Sequence, residues 1–247
     1  MRKFYTLLNT ELRLSVRDMN MPIFALCMPA VVVLIIGMVF GDRPAFAGAP
    51  YTFLSQSFGA LATIAVCAGG LMGLPLVLSD YRNKKILKRF QVTPTSPAIL
   101  LGVQVAVYTL YALVSLILVY LISALGFGFR LRGSWLIFLG AYLLVTGSIF
   151  SIGVLVGGVA KNEKRAGLLA SALYFPMLVF SGATLPYEVM PAGLQRVADV
   201  MPLTQGIKLL KAASLGLPVK DVVLPLVLMI ALMVACVGIA LRSFRWE

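Results

Sequence analysis

Residues 80–97 read DYRNKKILKRFQVTPTSP, the one long polar interruption in an otherwise apolar chain. The stretch carries Arg82, Lys84, Lys85, Lys88 and Arg89 against Asp80 alone, and uncharged runs flank it at 44–79 and 90–129. A block so placed sits in water between two membrane-embedded segments. Ile86, Leu87 and Phe90 fall at i, i+1 and i+4. That spacing predicts a short helix with three apolar side chains on one face and the cations on the other. Thr93-Pro94 and Ser96-Pro97 end it, because the residue before a proline is pushed out of the α region. Such a helix suits docking onto a soluble partner; the plainer reading is a basic loop that only sets topology.

Working outward, 60% of the 247 residues are hydrophobic and 12% are charged, against about 25% charged in a soluble domain. The fold class expected is an all-α integral membrane protein. A net charge of +12 raises the question of nucleic acid, but the cations lie in short loops between apolar runs, so no nucleic-acid partner is expected. Cys27, Cys67 and Cys236 all lie within apolar runs and read as small buried hydrophobes, with no disulfide framework or CxxC site. Histidine is absent, which excludes a Ser-His intramembrane protease, an HExxH zinc protease and His-ligated haem. The first twenty residues have scattered charges and no apolar core, unlike a cleavable signal peptide.

In chain order, Phe4, Leu8, Leu12, Val16 and Met19 recur at spacings of three and four, so 1–20 is expected to be an interfacial amphipathic helix. Apolar runs predict six spans, at 22–40, 55–79, 98–125, 135–160, 166–182 and 222–241, within one domain. Pro29 should kink the first, and Gly69 and Gly73 make a GxxxG in the second. The region 183–221 is too polar to cross and too apolar for a free loop; its periodicity predicts two short amphipathic helices punctuated by Pro191 and Pro202. Glu188, Arg196 and Asp199 there would each cost about 2.5–3.5 kcal/mol to insert, which argues for a re-entrant cap.

Two rival classes lack their chemistry. Ion-coupled carriers and channels keep ionisable residues inside the membrane, and the six expected spans contain none. An intramembrane enzyme without histidine needs a Ser-Lys or di-aspartate site, and no lysine or aspartate falls within a span. There is also no GxxxxGK[ST] phosphate cradle, so an ATP-driven process would draw on a separate subunit.

Two stretches, KKILKRFQVTPTSPAILLG at 84–102 and SGATLPYEVMPAGLQRVADVMPLTQGIKLLKAASLG at 181–216, together with the order of features over essentially the whole chain, carry a resemblance. The sequence resembles the membrane (permease) subunits of type 2 ABC transporters, drug exporters in particular. Asn83 and Lys85 stand where that family has a glutamate-rich start and a glycine, and Met201 replaces its usual asparagine. The resemblance implies that 80–97 is a coupling helix riding on an ATP-binding cassette subunit, with Ile86, Leu87, Lys88, Arg89 and Phe90 at the contact. It implies that 183–216 forms outer half-helices, with Pro186, Glu188, Pro191, Met201 and Pro202 in the cap. The second and fifth spans of two permease copies, identical or paralogous, would line the path. Phe58, Thr63, Met72, Tyr174, Phe175, Met177 and Phe180 are the lining candidates, though such side chains serve equally as helix packing. ATP and magnesium would sit on the partner subunit, with no cofactor on this chain and membrane lipid around it. The implied role is export of an amphiphilic drug, antimicrobial or lipid-like substrate across a bacterial inner membrane; a polysaccharide or lipid-linked glycan is the alternative.

With the N-terminus inside, 14 of the 21 basic residues fall on the cytosolic side and 7 outside, so both termini are expected in the cytosol. Single cysteines at positions 3 and 245, in a background without Cys27, Cys67 and Cys236, should stay unlabelled by an impermeant thiol reagent in intact cells. Labelling at either position contradicts the six-span topology.

Overall fold

The structure is a computed structural model describing residues 2–18, 23–41, 43–46, 48–86, 97–160, 162–182, 187, 190–218 and 222–243. Its helices are α1 (Arg2–Asp18), α2 (Ile23–Phe40), α3 (Phe53–Asn83), α4 (Ala98–Gly126), α5 (Trp135–Val159), α6 (Glu163–Phe180), α7 (Ala192–Val200), α8 (Pro202–Leu215) and α9 (Val223–Ser243). Among the described residues the only β pairing is an isolated bridge between Pro44 and Thr52.

Five helices, α2, α3, α4, α5 and α9, are long and apolar enough to cross a membrane. The sequence reading counted α6 as a further span. That helix spends its first turn on Glu163, Lys164 and Arg165, under an Asn162 cap whose Oδ1 accepts from the Arg165 N–H at 2.9 Å. With three charges in that first turn, the helix falls outside the five set apart by length and composition.

Helix α3 is the post around which the others stand. Its most apolar window is 83% buried, against 22% for α2 and α9 at the periphery. Helices α2, α4, α5, α6 and α8 all pack on it. Thr52 caps its start, accepting from the Ser55 N–H at 3.2 Å. Its middle, Ala68–Gly73, is π-helical, and the Leu74 N–H reaches back five residues to the Gly69 carbonyl. Pro75 follows at once. Proline has no N–H for the carbonyl four residues back and its ring crowds that carbonyl, so a wider turn just before it relieves both problems. A π turn at Ile23–Cys27 likewise precedes Pro29 in α2.

With lipid as apolar as leucine, these helices are held by close packing rather than by a hydrophobic drive. A Cβ on Gly153 of α5 would overlap the Gly70 carbonyl oxygen of α3, and one on Gly157 would press on Leu78 and Pro75. The sequence singled out Gly69 and Gly73 as one contact pair. In the structure Gly73 meets Tyr108 of α4, and it is the neighbouring Gly70 that meets Ile149 and Phe150 of α5.

The N-terminal helix also differs from a helix lying only on lipid. Phe4, Leu7, Leu8 and Leu12 pack on Val103, Val107 and Tyr111 of α4, while Val16 is exposed. Helix α8 is buried along most of its length against α3, α5 and α9, so the second of the two short helices plugs one end of the bundle.

Gly153→Leu should therefore fail at packing. Overfilling a tight core costs about 1–3 kcal/mol, and here the obstacle is backbone, so the loss should reach the top of that range. The purified variant should melt markedly lower, whereas Gly140→Leu, where added side-chain atoms start in open space, should melt near the parent.

Candidate functional site

The basic block begins as the last turn of α3, which continues to Asn83, and not as a separate helix from residue 80. Lys85, with φ +54, breaks the helix. Arg82 does not join the solvent-facing cations. Its guanidinium donates to the carbonyls of Ala160 and Gly158 at 2.8 Å each, closing the C-terminus of α5. A cation on the last carbonyls of a helix satisfies acceptors that lack intrahelical partners and meets the negative end of the helix dipole. Lys84 pairs with Asp80 at 2.8 Å in an exposed position, a contact of little energetic weight.

Three further residues tie this turn to α1. The Tyr81 hydroxyl donates to Glu11 Oε2 at 2.7 Å, and Gln104 Nε2 of α4 donates to the same oxygen at 2.9 Å and to the Tyr81 hydroxyl at 3.1 Å. Ser15 donates to the Tyr111 hydroxyl at 3.1 Å. The end of α3, the start of α4 and the middle of α1 are thus one hydrogen-bonded unit. Of the expected docking residues, Ile86 rests on Leu100 beside Tyr81 and Leu101, so its side chain is taken up by the chain's own helix ends. Leu87, Lys88, Arg89 and Phe90 lie outside the described residues.

At the opposite end of α3, Pro191 precedes α7, and Met201 in extended conformation joins α7 to α8, which opens on Pro202. Pro186 and Glu188 lie outside the described residues. Asp199 Oδ1 accepts from Lys208 Nζ at 2.6 Å and from the Tyr187 hydroxyl at 2.9 Å, and Lys208 lies 4.6 Å from the Tyr187 ring centre. Burial pushes the Asp199 carboxyl up, but its bonds from Lys208 and Tyr187 outweigh that and hold it below the usual aspartate range. Gln205 Nε2 donates to the Asp199 carbonyl at 2.6 Å, fastening α8 to α7.

The expected path residues scatter. Phe58 is 0% exposed and stacks on Phe129 at 4.3 Å, with Phe138 at 5.5 Å. Thr63 is buried and donates to the Ala60 carbonyl at 2.7 Å. Both pack inside the chain and line no surface here, because α3 is enclosed on all sides at their level. Met177 is buried too. Met72 and Tyr174 are half-buried where α3 and α6 meet, Phe180 is half-buried near the end of α6, and Phe175 is 58% exposed.

The sequence groups Arg82 with the solvated cations, and Glu11, Tyr81, Gln104 and Lys208 carry no signal of their own. A carboxylate beside the apolar face of α1 and an amide inside a span were the only traces of the cluster. Among the described residues no group of three or more His, Cys, Asp or Glu is placed to hold a metal ion.

The sequence model of a family described as ABC-2 type transporter matches residues 2–215. The chain belongs to the ABC-2 type transporter family. Nodulation protein J of Neorhizobium galegae is 35% identical over 92 residues, covering 37% of this chain and 35% of that protein. The inner membrane transport permease YhhJ of Escherichia coli is 31% identical over 34% of this chain and 23% of its own length. The putative transport permease YvfS of Bacillus subtilis is 24% identical over 58% of each. The matched segments thus span about a third of the nodulation protein and about a quarter of YhhJ. In this ABC-2 family member both clusters, at Arg82–Glu11 and at Asp199–Lys208, fall within the family match.

Removing the Arg82 fork should loosen the junction of α3 and α5. Arg82→Met strips two charge-assisted bonds from carbonyls that have little else, a loss of about 2 kcal/mol. Arg82→Lys should recover only part of it, since an ammonium lacks the planar fork that spans two carbonyls. Melting of the three purified proteins checks the order parent, Lys, Met.

Proposed function

We propose that the chain is the permease subunit of an ATP-driven exporter, working as a pair with a second copy or paralogue. A separate ATP-binding cassette subunit, carrying ATP and magnesium, would drive the pair through the 80–97 block. The observation that carries this reading is the anchoring of the block's first turn: Arg82 on α5, and Tyr81 through Glu11 and Gln104 on α1 and α4. A force applied to the turn reaches three helices through short charged bonds, which a mere topology loop has no need of. Family membership supports the same division of labour.

In this reading α6 is the sixth crossing, running beside α3 from Ala166 to Met177, both buried, and both termini face the cytosol. Helices α7 and α8 form the outer cap over the exit. Phe175, exposed on α6, and the half-buried Met72 and Tyr174 remain the surface facing the second permease. The cargo is an amphiphile, a drug, antimicrobial or lipid-like molecule, carried from the cytoplasm or inner leaflet of a bacterial inner membrane. Its apolar part matches the uncharged faces of α3 and α6.

Ile86 anchors the turn to the chain's own core, and Leu87 and Phe90 with Lys88 and Arg89 make the outward contact. Leu87→Asp combined with Phe90→Asp would bury unpaired charge in that contact, at several kcal/mol. The variant should insert and melt like the parent while co-purifying ATP-binding subunit falls about a hundredfold or more. Undiminished co-purification with cargo-stimulated ATP hydrolysis contradicts the docking assignment.

A further inference from the structure

At the end of the bundle that carries the basic block, a cavity of about 390 Å³ lies between α1, the last turns of α3, α4 and the start of α6. Glu11, Asp80 and Glu163 bring three carboxylates to it against the single ammonium of Lys84, while Leu76 and Val77 supply apolar wall. Lys84 is already bonded to Asp80 at 2.8 Å. Glu11 has no such partner. Tyr81 and Gln104 are neutral donors, both aimed at Oε2, and among the described residues no lysine or arginine pairs with it. Its other oxygen, Oε1, accepts from no described residue. Unlike the unpartnered atoms sealed in the interior, such as Ser79 Oγ, it keeps contact with solvent. On a half-buried side chain that lines the cavity, Oε1 is therefore an open acceptor carrying uncompensated charge.

We propose that this cavity receives the protonated amine of a cationic amphiphile, an inference that rests on the permease reading above and gives its cargo a charge. An ammonium donates a charge-assisted hydrogen bond to Glu11 Oε1, which a neutral hydroxyl matches only in part. Glu11 keeps its place meanwhile, since Tyr81 and Gln104 hold the other oxygen. A metal ion does not fit the arrangement: among the described residues no three acidic groups stand close enough to hold one. The negative charge is spread over the lining instead. Low-dielectric walls focus such a field and raise the local concentration of a cation. The same field repels a phosphate or a sulfate, which counts against a phosphate-linked glycan as cargo. The apolar body of the amphiphile finds Leu76 and Val77 beside the carboxylates. The volume lies in the lower part of the ~300–1,000 Å³ typical of ligand pockets, which suits an amine on a short apolar body.

The test uses the full chain in phosphatidylcholine nanodiscs, with empty nanodiscs as the partition blank, and reads binding by isothermal titration calorimetry. Three octyl probes differ only in the head: octylammonium, octyltrimethylammonium and octyl sulfate. Octylammonium should bind one per chain above the blank. Octyltrimethylammonium, which has no N–H to donate, should bind about tenfold more weakly, and octyl sulfate should not bind. Glu11→Gln keeps an acceptor for Tyr81 and Gln104 but removes the charge, and should weaken octylammonium binding about tenfold or more. Val77→Phe fills the wall without touching a charge. It should weaken all binding while leaving the order of the probes unchanged. Equal affinity for octylammonium and either other probe, no binding beyond the blank, or undiminished binding by both variants would overturn the site. Co-purification of the ATP-binding subunit with the parent chain from native membranes is scored separately. Octylammonium binding without that subunit would sink the exporter reading and spare the site; the subunit without octylammonium binding would do the reverse.

Discussion

A helix enclosed on every side can be approached only where its neighbours' side chains vanish. Helix α3 is such a helix, and Gly153 and Gly157 of α5 are where the approach occurs, against Gly70 and Leu78. This contact sets the height of α5 along α3. Because of it, the α5 carbonyls of Gly158 and Ala160 come level with Arg82, and the guanidinium fork closes the junction. Shifting the glycine contact would move those carbonyls out of reach. The π turn at Ala68–Gly73 belongs to the same stretch: it precedes Pro75, and Gly73 at its end lies against Tyr108.

One rod therefore joins two polar ends. At 1.5 Å per residue the 31 residues of α3 span about 46 Å. At one end the last turn of α3, through Tyr81 and Arg82, is bonded to α1, α4 and α5; at the other α8 packs across its start. Neither end is held by hydrophobic burial alone. The first uses short hydrogen bonds to Glu11; beside the second, the Asp199–Lys208 pair joins α7 to α8, which packs on the start of α3. Such bonds are directional and strong where helices leave the hydrocarbon. A rigid post bonded by polar groups at one end and packed under α8 at the other suits the relay of a push proposed for the 80–97 block.

Much of the helical layout was legible in the sequence because hydropathy reports it directly: four expected spans differ from α2, α4, α5 and α9 only at their ends. The two helices around Pro202 were legible from periodicity and proline placement. Periodicity names a face, however, and not the partner of that face. Glu11, Tyr81 and Gln104 come from three stretches up to 93 residues apart, so no local pattern joins them. Charge alone placed Arg82 with its solvated neighbours, since nothing in its own segment announces the carbonyls of α5. Phe58 looked like a path residue because aromatic side chains fill cores and bind ligands with equal ease.

The central claim is that the 80–97 block is gripped by a nucleotide-hydrolysing subunit. A photoreactive amino acid at position 89, activated in native membranes, tests it most directly. The account predicts a crosslinked product that contains a second polypeptide able to bind and hydrolyse ATP, and that this product disappears when the photoreactive group is moved to position 14 on the exposed side of α1. Adducts at position 89 with lipid or with the chain itself, and none with an ATP-hydrolysing polypeptide, would contradict the account.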